Sequence, residues 1–466
     1  MNINQDTICA IATAQGGAIG IIRVSGPKAI DHTAAIFRPI QDNLHFLKQK
    51  AYTLTFGKIV NEHGEEIDEV LVALYRAPHS YTGEDSTEIM CHGSSYILQQ
   101  VMQLLIHQGC RAAMPGEYTQ RAFLHGKMDL SQAEAVADLI ASSSAATHRL
   151  AMNQMKGGFS NELKELRNQL LHITSLMELE LDFSDHEELE FADRTELKEL
   201  ADQIEHVISK LTNSFNVGNV IKNGIPVAII GETNAGKSTL LNALLHEEKA
   251  IVSDIHGTTR DVIEDTINID GITFRFIDTA GIRQTTDTIE NMGIERTYQQ
   301  MAQADIILWI IDSTDTLVRL HEIREQVLQR CGNAKLVLLF NKSDLVSDNV
   351  KEMLLQDVTD IHSEKLFISA KRQENLAELE KLLVSLAALP EITQNDIIVT
   401  NIRHYEALSR ALDSIHRVQE GMDQGLSGDL VSEDLRQCIY ELSDIVGEVT
   451  TDEVLGNIFE KFCIGK

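Results

Sequence analysis

Apolar positions change rhythm along this chain, and the changes mark out its parts. Up to about residue 120 short apolar β-like runs mix with turns, at 18–26 (AIGIIRVSG), 51–60 (AYTLTFGKIV) and 67–78 (IDEVLVALYRAP). These runs, bounded by turn residues, predict β-strands. The stretch 95–109 (SYILQQVMQLLIHQG) predicts a helix closed by Gly109. From about residue 130 the rhythm becomes helical. Ser131 with Glu134, ahead of AVADLIA, reads as a capping box. Leu163, Leu166, Leu170, Ile173 and Met177 then recur at the spacing of one helix face.

Between about 217 and 385 the runs are apolar throughout: 225–231 (IPVAIIG), 305–312 (DIILWIID), 335–341 (KLVLLFN) and 365–370 (KLFISA). Strands of this kind belong to a parallel sheet covered by helices on both faces. The segment 267–278 (INIDGITFRFID) adds a hairpin turning at Asp-Gly. After Pro390 the pattern is helical again. An α/β unit is therefore expected as an insertion in a helical domain. The expected parts are an α+β N-terminal domain (1–122), a helical domain in two pieces (123–216 and 386–466), and the inserted α/β domain (217–385).

Composition narrows the setting. With 466 residues the chain exceeds a single core. Hydrophobic content of 43% with 24% charged residues fits a globular protein. No run is long and apolar enough to span a bilayer, and the first residues lack the features of a signal peptide. The six scattered cysteines form no C-x-x-C pair and read as reduced thiols, which points to a cytoplasmic setting without a membrane. A formal charge of −30 argues against a broad basic nucleic-acid surface. The acidic run 178–193 lacks metal-ligand spacing and reads as a solvated face or loop.

The chemistry concentrates in the inserted domain. Residues 231–239 (GETNAGKST) match G-x-x-x-x-G-K-[ST], after a strand and before a helix, the setting of a P-loop. Gly231 and Gly236 let main-chain N–H groups approach phosphates through Asn234, Ala235 and Thr239. Lys237 reaches the β- and γ-phosphates and Ser238 offers a hydroxyl to Mg²⁺. Next come DTAG (Asp278, Thr279, Ala280, Gly281), NKSD (Asn341, Lys342, Asp344) and SAK (Ser369, Ala370, Lys371), each closing a strand. Asp278 is suited to hold Mg²⁺ through water. The Asp344 carboxylate matches guanine N1–H and the 2-amino group. Asn341 is placed for the base edge, Lys342 to pack over it, and a main-chain N–H of SAK to meet O6. This ordered set resembles the GTPase superfamily. Thr259, in GTTRD (257–261), is the expected Mg²⁺ and γ-phosphate sensor.

Ras-like enzymes place a water-orienting glutamine directly after DTAG; here that position is Ile282. Asn234 offers one replacement, a side-chain oxygen for a monovalent cation beside the phosphates. Glu290 offers another, as a water-polarising acid, although a helix N-terminal acid is an equal reading of its position.

The whole chain resembles the tRNA modification GTPase family MnmE (TrmE). The resemblance rests on GAIGIIRVSG (17–26), YTGEDSTEIMCHG (81–93), PGEYTQRAFLHGKMDLSQAEAVADLI (115–140), the P-loop with AIVSDIHGTTRD, and FCIGK (462–466). It implies a folate-binding N-terminal domain that forms a homodimer, a central helical domain and an inserted Ras-like G domain. It implies a K⁺-dependent GTPase acting, as a heterotetramer, with an FAD- and NADH-dependent partner, MnmG (GidA). Together these would add an aminomethyl or carboxymethylaminomethyl group to C5 of wobble uridine in certain tRNAs. The one-carbon source would be 5,10-methylenetetrahydrofolate or 5-formyltetrahydrofolate. In that pattern Asn234, Ser253, Ile255 and Thr258 surround K⁺, Ser238 and Thr259 take Mg²⁺, and Glu290 orients water. Arg23, Glu88, Lys127 and Lys466 contact folate. Thr233, Ser94 and His125 depart from the family's usual proline, glycine and asparagine, His125 closest to the folate contacts.

FCIGK makes a poor prenylation signal, since Gly465 is not aliphatic. Cys463 beside the folate site is open to reading as nucleophile, acid/base or spacer. The rival functions are a ribosome-assembly or signalling GTPase and a dimer scaffold with a vestigial site. A generic GTPase has no use for FCIGK or the N-terminal stretches, and a scaffold none for the full set of guanine motifs.

Overall fold

The structure is a computed structural model describing residues 6–14, 16–41, 45–182, 194–232, 234–246, 265–277, 301–315, 317–387, 396–449, 451–460, 462 and 465. It divides into two compact units. One comprises Met1–Ala141, Ala151–Lys210 and Arg403–Lys466, the other Ser142–Leu150 and Leu211–Ile402.

The first unit holds a 7-stranded sheet. Its strands are β1 (Ile8–Ile11), β2 (Ile19–Ser25), β3 (Phe37–Pro39), β4 (Thr53–Val60), β5 (Glu66–Tyr75), β6 (Ser86–His92) and β7 (Arg111–Ala112), in the order β3-β4-β5-β6-β2-β1-β7. Only β1 with β7 is a parallel pair. Helices α1 (Ala29–Ile36) and α2 (Ser95–His107) cover one face. Ile22 and Val24 of β2, Val70, Val72 and Leu74 of β5, and Ile89 of β6 pack there with Leu98, Val101 and Leu105 of α2. Gly20 permits that approach, since a β-carbon there would stand 2.7 Å from Leu98. Alternation puts Arg23 and Glu88 on the opposite face, and the register sets them directly across from each other.

Helices α3 (Glu117–Leu124), α4 (Leu130–Ala141), α5 (Ala145–Met155), α6 (Gly158–Asp182) and α7 (Arg194–Asn223) follow, α5 and α7 with residues in both units. The apolar face expected on α6 is observed, with Leu163, Leu166, Leu170, Ile173 and Met177 all buried. The capping box is corrected. Asp129 Oδ1 accepts from the Gln132 N–H at 3.0 Å, and Gln132 Oε1 accepts from the Asp129 N–H at 2.9 Å. Asp and Gln at that spacing satisfy the same orphan donors earlier in the chain. Ser131 falls inside α4 and bonds Asp129 and Ser160.

The second unit carries a 6-stranded sheet. Its elements are β8 (Ile225–Gly231), α8 (Lys237–His246), β9 (Asp265–Ile269), β10 (Ile272–Phe276), β11 (Ile306–Asp312), α9 (Leu317–Arg330), β12 (Lys335–Asn341), α10 (Asp348–Asp357), β13 (Glu364–Phe367) and α11 (Leu376–Ala387). The strand order is β13-β12-β11-β8-β10-β9, parallel except for β9 against β10. Asp270 and Gly271 make the hairpin turn with φ of 50° and 82°, the positive pair that a type I′ turn requires. Val227, Ile229, Leu308 and Ile310 pack against α8 and α11 on one face. Ala228, Ile230, Ile307 and Trp309 pack with Val327 and Leu354 on the other. Both faces are buried, so these strands carry no polar alternation.

The first unit, resuming at Arg403, is completed by α12 (Ile402–Asp423), α13 (Gly428–Val446) and α14 (Asp452–Phe459). Leu455, Phe459 and Phe462 pack on Leu130 and Ala133.

Candidate functional site

In the second unit the nucleotide motifs meet at the ends of parallel strands, where α/β sheets bind ligands. Strand β8 delivers the chain to Gly231 and α8 takes it up at Lys237, with Ser238 and Thr239 in its first turn. Gly231, Asn234 and Gly236 have φ of 146°, 65° and 103°. A β-carbon at Gly236 would stand 2.1 Å from Asn341 Nδ2, so glycine is required. Lys237 Nζ donates to the carbonyls of Gly231 and Glu232, each at 2.7 Å. Burial pushes its ammonium below the ordinary range, with Glu232 opposing. Phosphate oxygens are stronger acceptors than those carbonyls and suit this desolvated cation.

The base-end motifs are joined to the phosphate loop. Asn341 is buried, donates Nδ2–H to the Ala235 carbonyl at 2.7 Å and accepts from the Ala370 N–H at 3.0 Å. Both ends of its amide tie the phosphate loop to the SAK segment, so it braces the base end of the site. Lys342, at φ 61°, turns the chain and pairs through Nζ with Asp312 Oδ2 at 2.5 Å. Burial would raise the Asp312 pKa, but bonds from Lys342 and Thr314 hold it below the usual range. Asp344 accepts from the Ser369 hydroxyl and pairs with Arg372 Nε at 3.0 Å. Lys371 is exposed beside them.

Thr233, Ser253, Ile255, Thr258, Thr259, Asp278, Thr279, Ala280, Gly281, Ile282, Glu290, Cys463 and Lys466 lie outside the described residues.

The first unit builds a second constellation on the face of its sheet opposite α1 and α2, where Tyr118 packs on Ile8 and Ala10. Arg23 pairs with Glu88 at 2.8 Å, and its guanidinium carbon lies 5.5 Å from the Tyr81 ring centroid and 5.6 Å from that of Tyr118. Tyr118 donates its hydroxyl proton to the Arg23 carbonyl at 2.8 Å. Burial raises the Tyr81 and Tyr118 hydroxyls above their ordinary pKa. Arg23 Nη1 also reaches the Gly465 carbonyl at 3.5 Å. Gly465 has φ 95°, and a β-carbon there would stand 2.6 Å from the Ile11 carbonyl. The glycine thus permits the main chain at 465 to lie against β1.

The wall holding Tyr81 is fixed from behind. Arg121 is fully buried and bonds Asp6, Glu84 and Glu117. Glu84 accepts from the Ser25 hydroxyl at 2.8 Å, which meets the Thr82 hydroxyl at 2.7 Å. His125 Nδ1 lies 2.8 Å from the Thr82 carbonyl, and Lys127 Nζ donates to the Pro78 carbonyl at 2.9 Å. His125 therefore clamps the 78–85 loop that carries Tyr81. Tyr81, Tyr118 and Arg121 were not singled out in the sequence, where the Glu117/Arg121 spacing of helical neighbours was the available signal.

The arrangement offers the partly exposed Tyr81 ring, a cation and a carboxylate at one place, a set that fits a folate pterin edge and its acidic tail. Among the described residues no helix is long and apolar enough to cross a membrane.

Family models cover most of the chain. The model described as the GTP-binding protein TrmE N-terminus matches residues 7–127, and the MnmE helical domain model matches residues 130–463. The tRNA modification GTPase MnmE of Phocaeicola vulgatus is 69% identical over 498 residues, covering 100% of this chain and 99% of that protein. That of Bacteroides thetaiotaomicron is 68% identical over 468 residues, with 100% of each chain covered. That of Flavobacterium johnsoniae is 51% identical, again over 100% of both. The solved structure of an Aquifex aeolicus Era variant bound to GDP·AlF4⁻ is 27% identical over 40% of this chain and 65% of that one, at a TM-score of 0.28. With full-length similarity to the curated relatives, the chain belongs to the MnmE (TrmE) family of tRNA modification GTPases.

Proposed function

We propose that this GTPase is K⁺-dependent and works with a flavin-dependent partner to add an aminomethyl or carboxymethylaminomethyl group to C5 of wobble uridine in certain tRNAs. A tetrahydrofolate would supply the one-carbon unit. The observation that carries the reading is the Arg23–Glu88 pair between Tyr81 and Tyr118, with Gly465 beside it. A generic ribosome-assembly or signalling GTPase has no use for such a constellation. Arg23, Lys127 and Lys466 would hold the acidic tail, and Glu88 the pterin edge. When bound, folate supplies a carbon at the formaldehyde or formate oxidation level.

At the nucleotide, Lys237 and the loop N–H groups hold the β- and γ-phosphates, and Asp344 selects guanine. Ser238, Thr259 and Asp278 would hold Mg²⁺. Asn234, Ser253, Ile255 and Thr258 would hold K⁺, which when bound adds positive charge beside the phosphates where charge develops during transfer. Ile282 cannot orient water, which leaves Glu290 to do so. The chain's acidic character fits a subunit that leaves most tRNA contacts to its partner, and homodimerisation through the N-terminal domain completes the proposed heterotetramer. The decisive experiment is nucleoside analysis of wobble uridines in tRNA from a deletion strain. Loss of the C5 modification, restored by this chain, is expected; unchanged wobble uridines would refute the reading.

A further inference from the structure

Arg372 is the base-end cation that no nucleotide motif explains. It follows SAK, its side chain is 59% exposed, and its Nε lies 3.0 Å from Oδ2 of Asp344, itself only 10% exposed. Asp344 is the carboxylate assigned to guanine, so its capacity for hydrogen bonds can be counted. An ionised carboxylate offers about four lone-pair positions. The Ser369 hydroxyl, the main-chain N–H of Asp344 and Arg372 each claim one. Guanine brings its N1–H and a 2-amino hydrogen, so demand exceeds supply and one donor must leave.

Local structure decides which one. Ser369 is buried and held in a bridge with Glu374, its N–H bonding the Glu374 carbonyl at 3.2 Å and its carbonyl accepting from the Glu374 N–H at 3.1 Å. Its hydroxyl also accepts from the Arg372 N–H at 3.3 Å. The Asp344 N–H belongs to the short turn Ser343–Leu345. The Ser369 hydroxyl is shut away from water, so withdrawing it would leave its proton without a partner. The Arg372 side chain can swing into solvent, where its charge is readily hydrated.

We propose that Arg372 is a resident counter-ion that guanine must displace, so that it sets the affinity of the site for guanine nucleotides by competition. This rests on Asp344 being the guanine reader. Phosphate contacts are untouched by the exchange, so GDP and GTP are weakened alike. Because the pair is partly solvated, its competition is modest and is screened by salt.

The test uses the full chain and GDP carrying a fluorescent methylanthraniloyl ribose. At low ionic strength Arg372→Ala is expected to lower the Kd about two- to five-fold. The gain should fade as KCl rises toward about 0.5 M, where the Debye length is only a few ångströms. Arg372→Lys, which keeps the charge but loses the guanidinium fork, should fall between. The same substitution in an Asp344→Asn background, read with the xanthosine diphosphate analogue, should change nothing, since the paired charge is gone. Weaker or unchanged GDP binding in Arg372→Ala would overturn the proposal and make Arg372 an orienting or idle residue. So would an equal gain in both backgrounds. Failure of Asp344→Asn to exchange guanine for xanthine preference would instead sink the assignment of the reader itself, a separate outcome.

Discussion

Replacing Glu134 with glutamine should destabilise the first unit and leave the second untouched. Glu134 is buried on α4. Its Oε2 accepts from His404 Nε2 at 2.6 Å, and its Oε1 accepts from Arg403 Nε at 3.0 Å. Arg403 in turn donates to the carbonyls of Asp444 and Ile445 at the C-terminal end of α13, each at 2.9 Å. Burial alone would raise the Glu134 pKa, but the charge and hydrogen bond of His404, then those of Arg403, overcome it and hold the group at about 2, against an ordinary 4.5. That displacement corresponds to about 3 kcal/mol at roughly 1.4 kcal/mol per pKa unit. Because the folded pKa is the lower one, this stability is fully present above about pH 4.5. It drains away as pH falls toward about 2. Glu134→Gln removes the anion from between the Arg403 guanidinium and the buried His404 ring, which costs about 3–5 kcal/mol for pairs of this kind.

The assay is urea unfolding of the full chain followed by two probes. The only tryptophan, Trp309, lies in the core of the second unit and reports there by fluorescence. Far-UV circular dichroism also sees the helices of the first. With m near ~3 kcal/mol/M, the dichroism transition should move down by about 1 M and separate from the Trp309 transition, which stays in place. Its steep acid limb should flatten. A variant within about 0.5 kcal/mol of the parent, or one whose acid limb is unchanged, would refute the assignment of this stability to Glu134.

Gly465→Ala forces a side chain against the Ile11 carbonyl at φ 95°; it should weaken folate binding at least about tenfold, read by calorimetry, while GTP turnover stays normal. Asn341→Ala unties the phosphate loop from Ala370; GDP affinity should fall by about tenfold or more, since it strands a buried carbonyl and N–H, and unaltered affinity would remove the brace from the account. GTP hydrolysis should run several-fold faster in K⁺ than in Na⁺, and equal rates would discard the cation role of Asn234. Glu290→Ala should bind GTP normally but turn it over at least about tenfold more slowly; unchanged turnover would return Glu290 to a helix-end role.

The strands were legible because burial writes itself into residue choice. Thr53–Val60 and Glu66–Tyr75 are β-rich runs bounded by turns, whereas Ile306–Asp312 is apolar on both faces and reads as a central strand. The nucleotide motifs were legible because phosphate and guanine demand fixed residue types at fixed places. The α4 cap is ambiguous in sequence because Ser131/Glu134 and Asp129/Gln132 satisfy the same spacing, and only the distant Arg403 and His404 decide between them. Arg23 and Glu88 were legible only through family resemblance. Their pairing depends on β-register between segments far apart in the chain, which no local pattern records. Arg121, Tyr81 and Tyr118 escaped for the same reason. The role of Asn341 as a brace depends on the Ala235 carbonyl and Ala370 N–H converging on one amide.

The separation of Glu134 from its partners also has a consequence in time. His404 follows it by 270 residues. At ~5–20 residues per second, a ribosome takes roughly 15–50 s to deliver the imidazole after the carboxylate. During that interval the entire second unit is synthesised, with every strand of its parallel sheet, while α6 waits for the face that α13 will cover. The inserted unit can thus close its own core before the surrounding one has all its parts. Until Arg403 and His404 emerge, Glu134 is an ordinary solvated carboxylate. It becomes a buried anion only with the last helices, so the order of manufacture decides which of the two units can be finished first.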